Sequence, residues 1–158
     1  MPPQTAGLLM CRKEKEELEF FLVHPGGPFY VKKNEGAWSI PKGLPEGNEE
    51  LQLTAEREFF EETGITPVPP YQSLGNAKMK SGKVIHAWTF LGTWNPEDGI
   101  VSNHIEIEWP PRTGKKISIP ETDRGEWMDF QKAKVMINSS QLVFLERAQE
   151  HYGLKQKH

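Results

Sequence analysis

GLPEGNEELQLTAEREFFEETGI, residues 43–65, sets seven glutamates against one arginine in a run that also holds two adjacent phenylalanines. The acids are Glu46, Glu49, Glu50, Glu56, Glu58, Glu61 and Glu62, and the base is Arg57. Like charges at helical spacing destabilise a helix, so the pattern asks for a positive partner that the sequence does not supply. Pro45 and Gly47 disfavour helix at the start of the run, whereas 49–63 contains no breaker and Gly64 stands where a helix would stop. The segment therefore reads as a loop followed by a helix.

On a helical wheel centred on Glu58, Glu62 falls at about 40° and Glu61 at about 300°, so three carboxylates share an arc of about 100°. Left alone they would raise one another's pKa values; a dication reverses that interaction. All-oxygen ligation suits Mg²⁺ or Mn²⁺, and no Cys/His cluster favours zinc. Arg57 precedes Glu61 by four residues and can pair with it and orient it. Ala55 and Phe59 mark one apolar side and Leu53 and Phe60 another, an arc broad enough for a helix packed between other elements.

Outward from this segment, 5–12 and 17–25 read as strands around a charged turn. The run Phe20 to Val23 is too continuously apolar for a sheet exposed on one face, so this strand is expected to be covered on both sides. Gly26, Gly27 and Pro28 mark a turn into a loop. Residues 71–80 and 83–94 read as strands, as does the alternation in 104–109, while 95–123 forms an excursion expected to shape substrate access. Residues 125–130 suggest a closing strand, and 139–153 a serine-capped helix with Leu142, Leu145 and Gln149 at helical spacing. Strands, acidic helix, strands and terminal helix together indicate one α/β sandwich domain over 1–158.

The chain carries 19 basic and 22 acidic residues, but outside the acidic segment the counts are 18 and 15, a mildly basic remainder. That balance suits an acidic site reaching anions through a bridging cation, and it lacks the long basic stripe of a nucleic-acid surface. Cys11 is the single cysteine; its apolar flanks point to a strand interior and, with no possible intrachain disulfide, to a cytoplasmic setting. No run of 18 apolar residues suggests a membrane span, and neither a signal peptide nor an oligomeric state is indicated.

The segment resembles the Nudix box: Gly43, Glu49, Arg57, Glu58, Phe59, Glu61, Glu62, Gly64 and Ile65 fall at the nine specified positions with every gap correct, Phe59 being bulkier than the usual aliphatic residue. The resemblance implies an α/β/α sandwich with a central mixed sheet and divalent-metal-dependent hydrolysis of a pyrophosphate bond in a nucleoside diphosphate-linked compound. It further implies Glu58 and Glu62 as principal metal ligands, Glu61 as a direct or water-mediated contact, the Gly43 carbonyl as a further ligand, Glu49 as support and Arg57 as the orienting group. Such enzymes draw their general base from the box or from a later loop. Glu121 is the expected base, with Glu106 and Glu108 as competitors.

Lys42, immediately before the box, is a candidate phosphate contact; Trp38 and His86 are candidate pocket residues for substrate binding. The approach AWSIPKG is similar to that of diadenosine tetraphosphate hydrolase-like members, although 81–83 read Ser-Gly-Lys where that subclass carries a tyrosine. Position 80 is Lys where ADP-ribose hydrolases carry proline. Dinucleoside polyphosphates, nucleoside triphosphates and nucleotide sugars are the candidate small-molecule substrates. Two alternatives accompany this expectation: a non-catalytic nucleotide-binding regulatory domain, and hydrolysis at an RNA 5′ end.

Overall fold

The computed structural model describes residues 2–153; Met1 and 154–158, the margins of the expected domain, lie outside them. Strands β1 (Gln4–Glu14) and β2 (Glu17–Pro25) form an antiparallel pair. The two-residue strand β3 (Lys42–Gly43) pairs with β1 and leads to helix α1 (Leu51–Thr63). Next come β4 (Gln72–Lys78), β5 (Val84–Leu91), β6 (His104–Glu108), β7 (Lys116–Pro120) and β8 (Thr122–Met128). Helices α2 (Phe130–Met136) and α3 (Leu142–Tyr152) complete the chain.

The main sheet has the order β4-β5-β1-β2-β8 with β3 appended to β1; β1 and β5 run parallel and the other pairs antiparallel, so the sheet is mixed, as expected. Its two faces follow the period-2 alternation of a strand. Leu9 and Cys11 of β1, with Phe20 and Leu22 of β2, join Phe144, Leu145 and Ala148 of α3 and Ala133 of α2 in one core. Ala6, Leu8, Met10, Phe21 and Val23 turn the other way and meet Ala55 and Phe59 of α1. The continuous apolar run in β2 is thus explained by helices on both faces. Phe59 is fully buried, its ring 6.0 Å from that of Phe21 and 5.4 Å from that of Phe90; truncation to alanine would cost about 3–5 kcal/mol.

Three local expectations are corrected, and the excursion gains internal order. Leu53 and Phe60 are about half exposed, at 52% and 51%, because α1 lies on one side of the sheet and is not sandwiched between elements. The closing strand ends at Met128, since Asp129 accepts a hydrogen bond from the Lys132 amide and caps α2. Before α3, Asn138 rather than serine is the cap: its side chain accepts from the Ser140 amide and opens a 3₁₀ turn (Ser139–Gln141). The excursion contains a second sheet, the β6–β7 hairpin, which pairs only with itself.

Candidate active site

Helix α1 buries Ala55 and Phe59 against the sheet and, at the edge of the same stripe, Glu58 and Glu62. The i to i+4 spacing makes these two carboxylates neighbours. The third acid comes from far along the chain. Thr122 Oγ1 donates to the Glu62 carbonyl at 2.6 Å, the Asn103 amide to the Glu61 carbonyl at 2.7 Å and the Val101 amide to the Thr63 carbonyl at 2.9 Å. These bonds satisfy carbonyls that the end of a helix leaves unpaired, and they hold the segment carrying Glu121 against α1. Carboxylate oxygens of Glu58, Glu62 and Glu121 consequently lie within 4.8 Å of one another.

Gly43 completes the cradle. A Cβ at this position would fall 2.2 Å from the Glu58 carboxyl carbon and 2.4 Å from each of its oxygens. The adjacent Lys42 amide donates to Glu62 Oε2 at 3.0 Å. Burial raises the Glu62 carboxyl well above its ordinary pKa, and the charges of Glu121 and Glu58 push it the same way. Burial also raises Glu58, against the pull of Arg57 and Glu62. A cluster whose members resist simultaneous ionisation is suited to a cation, and its hard oxygen donors fit Mg²⁺ or Mn²⁺.

Arg57 anchors the opposite side of the acidic group. Its Nε and Nη2 donate to Glu49 Oε2 and Oε1 at 3.0 and 2.9 Å, a two-pronged contact, while Nη2 also reaches the Leu44 carbonyl at 2.9 Å. Nη1 bonds Glu58 Oε1 at 3.0 Å and both oxygens of Glu61 at 3.2 Å. The Arg57 bonds from Nε and Nη2, with a further one from Thr54 Oγ1, hold the Glu49 carboxyl down at about 2. Glu49 and Arg57 are therefore locked to one another beside the converging acids.

Glu61 pairs with Arg57, as their spacing of four suggested. Its carboxylate meets Arg57 on the more exposed side of α1, outside the trio of converging acids. Glu106 and Glu108 do share a strand face, but that face of the β6–β7 hairpin is exposed, and Glu108 accepts from the Arg112 amide; neither belongs to the trio of converging acids. Trp38 is only 2% exposed, packed in the core on the α3 side with its indole N–H donating to Asn34 Oδ1 at 2.7 Å, so no face is open for stacking a ligand. His86, in β5 between β1 and β4, donates from Nε2 to Gln4 Oε1, and it does not line the cavity described next. Lys42 does line it; burial lowers its pKa and the charge of Glu62 opposes that shift.

A cavity of about 400 Å³ adjoins the acids, with Lys42, Glu62 and Glu121 on its wall. Two contributors escaped the sequence reading. Asn103 Nδ2 donates to Glu121 Oε1 at 3.0 Å and its carbonyl accepts from the Glu121 amide at 2.9 Å, so it fixes the late acid from both ends. Phe29 and Tyr30, in the loop after β2, also face the cavity. Neither contribution carries a local signal, since both depend on contacts between distant segments.

The NUDIX domain family matches residues 1–148, and the chain belongs to that family. Among curated proteins it is similar to the RNA pyrophosphohydrolase of Caulobacter vibrioides, at 28% identity over 124 residues covering 63% of this chain and 71% of that protein. Among solved structures, a Caenorhabditis elegans Ap4A hydrolase binary complex superposes with a TM-score of 0.66 at 17% identity, covering 94% of this chain and 98% of that one. The NUDIX domain of Shewanella oneidensis NrtR complexed with ADP ribose gives 0.63 at 19%, covering 96% and 89%. At these identities the structural likeness establishes the α/β fold. No helix among the described residues is long and apolar enough to cross a membrane.

Proposed function

We propose that this protein hydrolyses a pyrophosphate bond in a nucleoside diphosphate-linked small molecule, in the cytoplasm, using Mg²⁺ or Mn²⁺ held by Glu58 and Glu62 with the Gly43 carbonyl, and with Glu121 beside them as the general base. The observation that carries the reading is the convergence of three carboxylates from two distant segments within 4.8 Å. When bound, the ion would neutralise phosphate charge and acidify water. The chain's own groups do the rest. Lys42, on the wall beside Glu62 and Glu121, meets phosphate oxygens. Glu121, oriented by Asn103 through one oxygen, keeps its other oxygen free to accept the proton of the attacking water. Arg57, with Glu49 and Glu61, fixes the position of Glu58.

Dinucleoside polyphosphates, nucleoside triphosphates, nucleotide sugars and 5′-triphosphorylated RNA form the panel that tests this reading, each with and without Mn²⁺. Product masses identify the bond broken. Glu62→Gln should keep the fold and lose at least about 100-fold in kcat; wild-type turnover in that variant would refute the assignment. Ligand binding by the wild-type protein with no turnover anywhere on the panel would instead establish a regulatory binding domain, the function class with which the complex of the NrtR NUDIX domain and ADP ribose is compatible.

A further inference from the structure

The approach to the acids, residues 37–42, crosses from one strand of the main sheet to another. Ser39 exchanges both backbone bonds with Val23 of β2, at 2.9 and 3.0 Å, and two residues on the Pro41 carbonyl accepts from the Leu8 amide of β1 at 3.2 Å. Lys42 and Gly43 then continue along β1 as β3. Ile40 falls at the crossing, fully buried, and among the described residues its backbone bonds neither strand. Backbone groups buried in this way need other partners.

One side chain, 101 residues further along, serves both of them. Gln141 closes the 3₁₀ turn before α3 and is 1% exposed. Its Oε1 accepts from the Ile40 amide at 3.0 Å, and its Nε2 donates to Ser39 Oγ at 3.0 Å, whose hydroxyl donates in turn to the Ile40 carbonyl at 2.6 Å. Little slack separates this clasp from the acids. Pro41 has a fixed φ and no amide of its own, and the next amide, that of Lys42, donates to Glu62 Oε2 at 3.0 Å. Gly43 follows, so close to Glu58 that a Cβ would fall 2.2 Å from its carboxyl carbon. The Gln141 side chain bonds only Ser39 and Ile40 among the described residues, so it reaches the acids through the backbone.

We propose that Gln141 is a positioning residue of the acidic site: it supplies the rung that the sheet lacks at Ile40, and thereby fixes the Lys42 amide on Glu62 and the Gly43 backbone against Glu58. The role rests on the pyrophosphohydrolase reading above. Without the clasp Ile40 must turn toward another partner, and Lys42 and Gly43 turn with it. A packing defect elsewhere in the core lowers the melt alone, whereas a displaced backbone at this point also deforms the cation site.

Three variants separate these effects. Gln141→Met keeps the length of the side chain and removes the amide. Gln141→Glu keeps the pattern, because a buried carboxyl favours its neutral form and so presents one accepting oxygen and one donating O–H. Phe144→Leu is a packing defect in the core beneath α3. Each is melted, titrated calorimetrically with Mn²⁺ well below its Tm, and assayed on whichever panel compound the wild type hydrolyses best. Gln141→Met should bind Mn²⁺ about tenfold more weakly and lose at least about tenfold in kcat, in keeping with about 100-fold per ångström of misplacement. Gln141→Glu should return both quantities to within about threefold of wild type, and Phe144→Leu should lower Tm while leaving both unchanged. Wild-type Mn²⁺ affinity and kcat in Gln141→Met, no recovery in Gln141→Glu, or an equal loss of affinity in Phe144→Leu would overturn the role. If Gln141→Met does not fold, Gln141→Asn, one methylene too short for the Ile40 amide, takes its place, and failure of both to fold overturns the role in favour of a folding one. If the wild type hydrolyses nothing, the Mn²⁺ titrations still decide. Weaker binding in Gln141→Met, restored in Gln141→Glu, sustains the positioning role while the hydrolase reading fails; equal binding in all three overturns the role.

Discussion

Gly43→Ala isolates the geometry of the acidic cluster from the stability of the fold. The added methyl would lie 2.2 Å from the Glu58 carboxyl carbon, where ordinary contact begins at 3.4 Å, so the carboxylate must retreat by about 1.2 Å. That carboxylate is the far end of a flexible side chain, and its displacement leaves the β1–β3 pairing of Ala6 with Gly43 in place. The cost falls on the site: a misplacement of about 1 Å in a reacting constellation is worth about 100-fold in rate, about 2.7 kcal/mol of transition-state stabilisation. Disturbance of a metal ligand's surroundings weakens the ion by about 10- to 100-fold. Calorimetric titration with Mn²⁺, steady-state turnover and a thermal melt on the same preparation read all three quantities. The expected result is a melt within a few degrees of wild type, weaker Mn²⁺ binding and turnover down by about two decades. Wild-type Mn²⁺ affinity and turnover in a folded Gly43→Ala protein would refute the placement of Glu58 against Gly43, and global unfolding would refute the argument that the side chain yields before the backbone.

Arg57→Lys preserves charge but loses the two-pronged contact with Glu49; a lower Tm in a thermal melt should accompany reduced kcat, and an unchanged melt and kcat would contradict the orienting role. Glu49 has its folded-state carboxyl lowered from 4.5 to about 2, first by the Arg57 hydrogen bonds. Because that pKa is depressed on folding, the stabilisation is present above the unfolded value and lost as pH falls toward 2. Urea titrations between pH 5 and 2 should show a shallower acid-side decline for Glu49→Gln than for wild type, and parallel curves would contradict the assignment. Cys11 is fully buried, and burial pushes its thiol up to about 12. A chromogenic disulfide reagent should therefore label it only at the rate of global unfolding; rapid stoichiometric labelling of the native protein would contradict its burial.

Much of the site was legible because it is local. Gly43, Glu49, Arg57, Glu58 and Glu62 are linked by a turn and by helical spacing, which fix relative positions within a few residues, and the structure brings them together as that spacing requires. The strand pair at 5–12 and 17–25 and the two-sided cover of Phe20 to Val23 were likewise readable from apolar patterning. The Arg57–Glu61 pair was readable in the same way, from its spacing of four.

From sequence alone came the acidic helix, its demand for a cation, the strand patterning and the α/β class, each being a consequence of backbone periodicity and charge over short spans. The tertiary structure decided which late glutamate joins the cluster, that Asn103 orients it, that Trp38 fills the core, and that Phe29 and Tyr30 meet the β6–β7 hairpin. Those outcomes depend on burial and on hydrogen bonds closed between segments far apart in the chain, such as Thr122 to Glu62, and no local spacing encodes them.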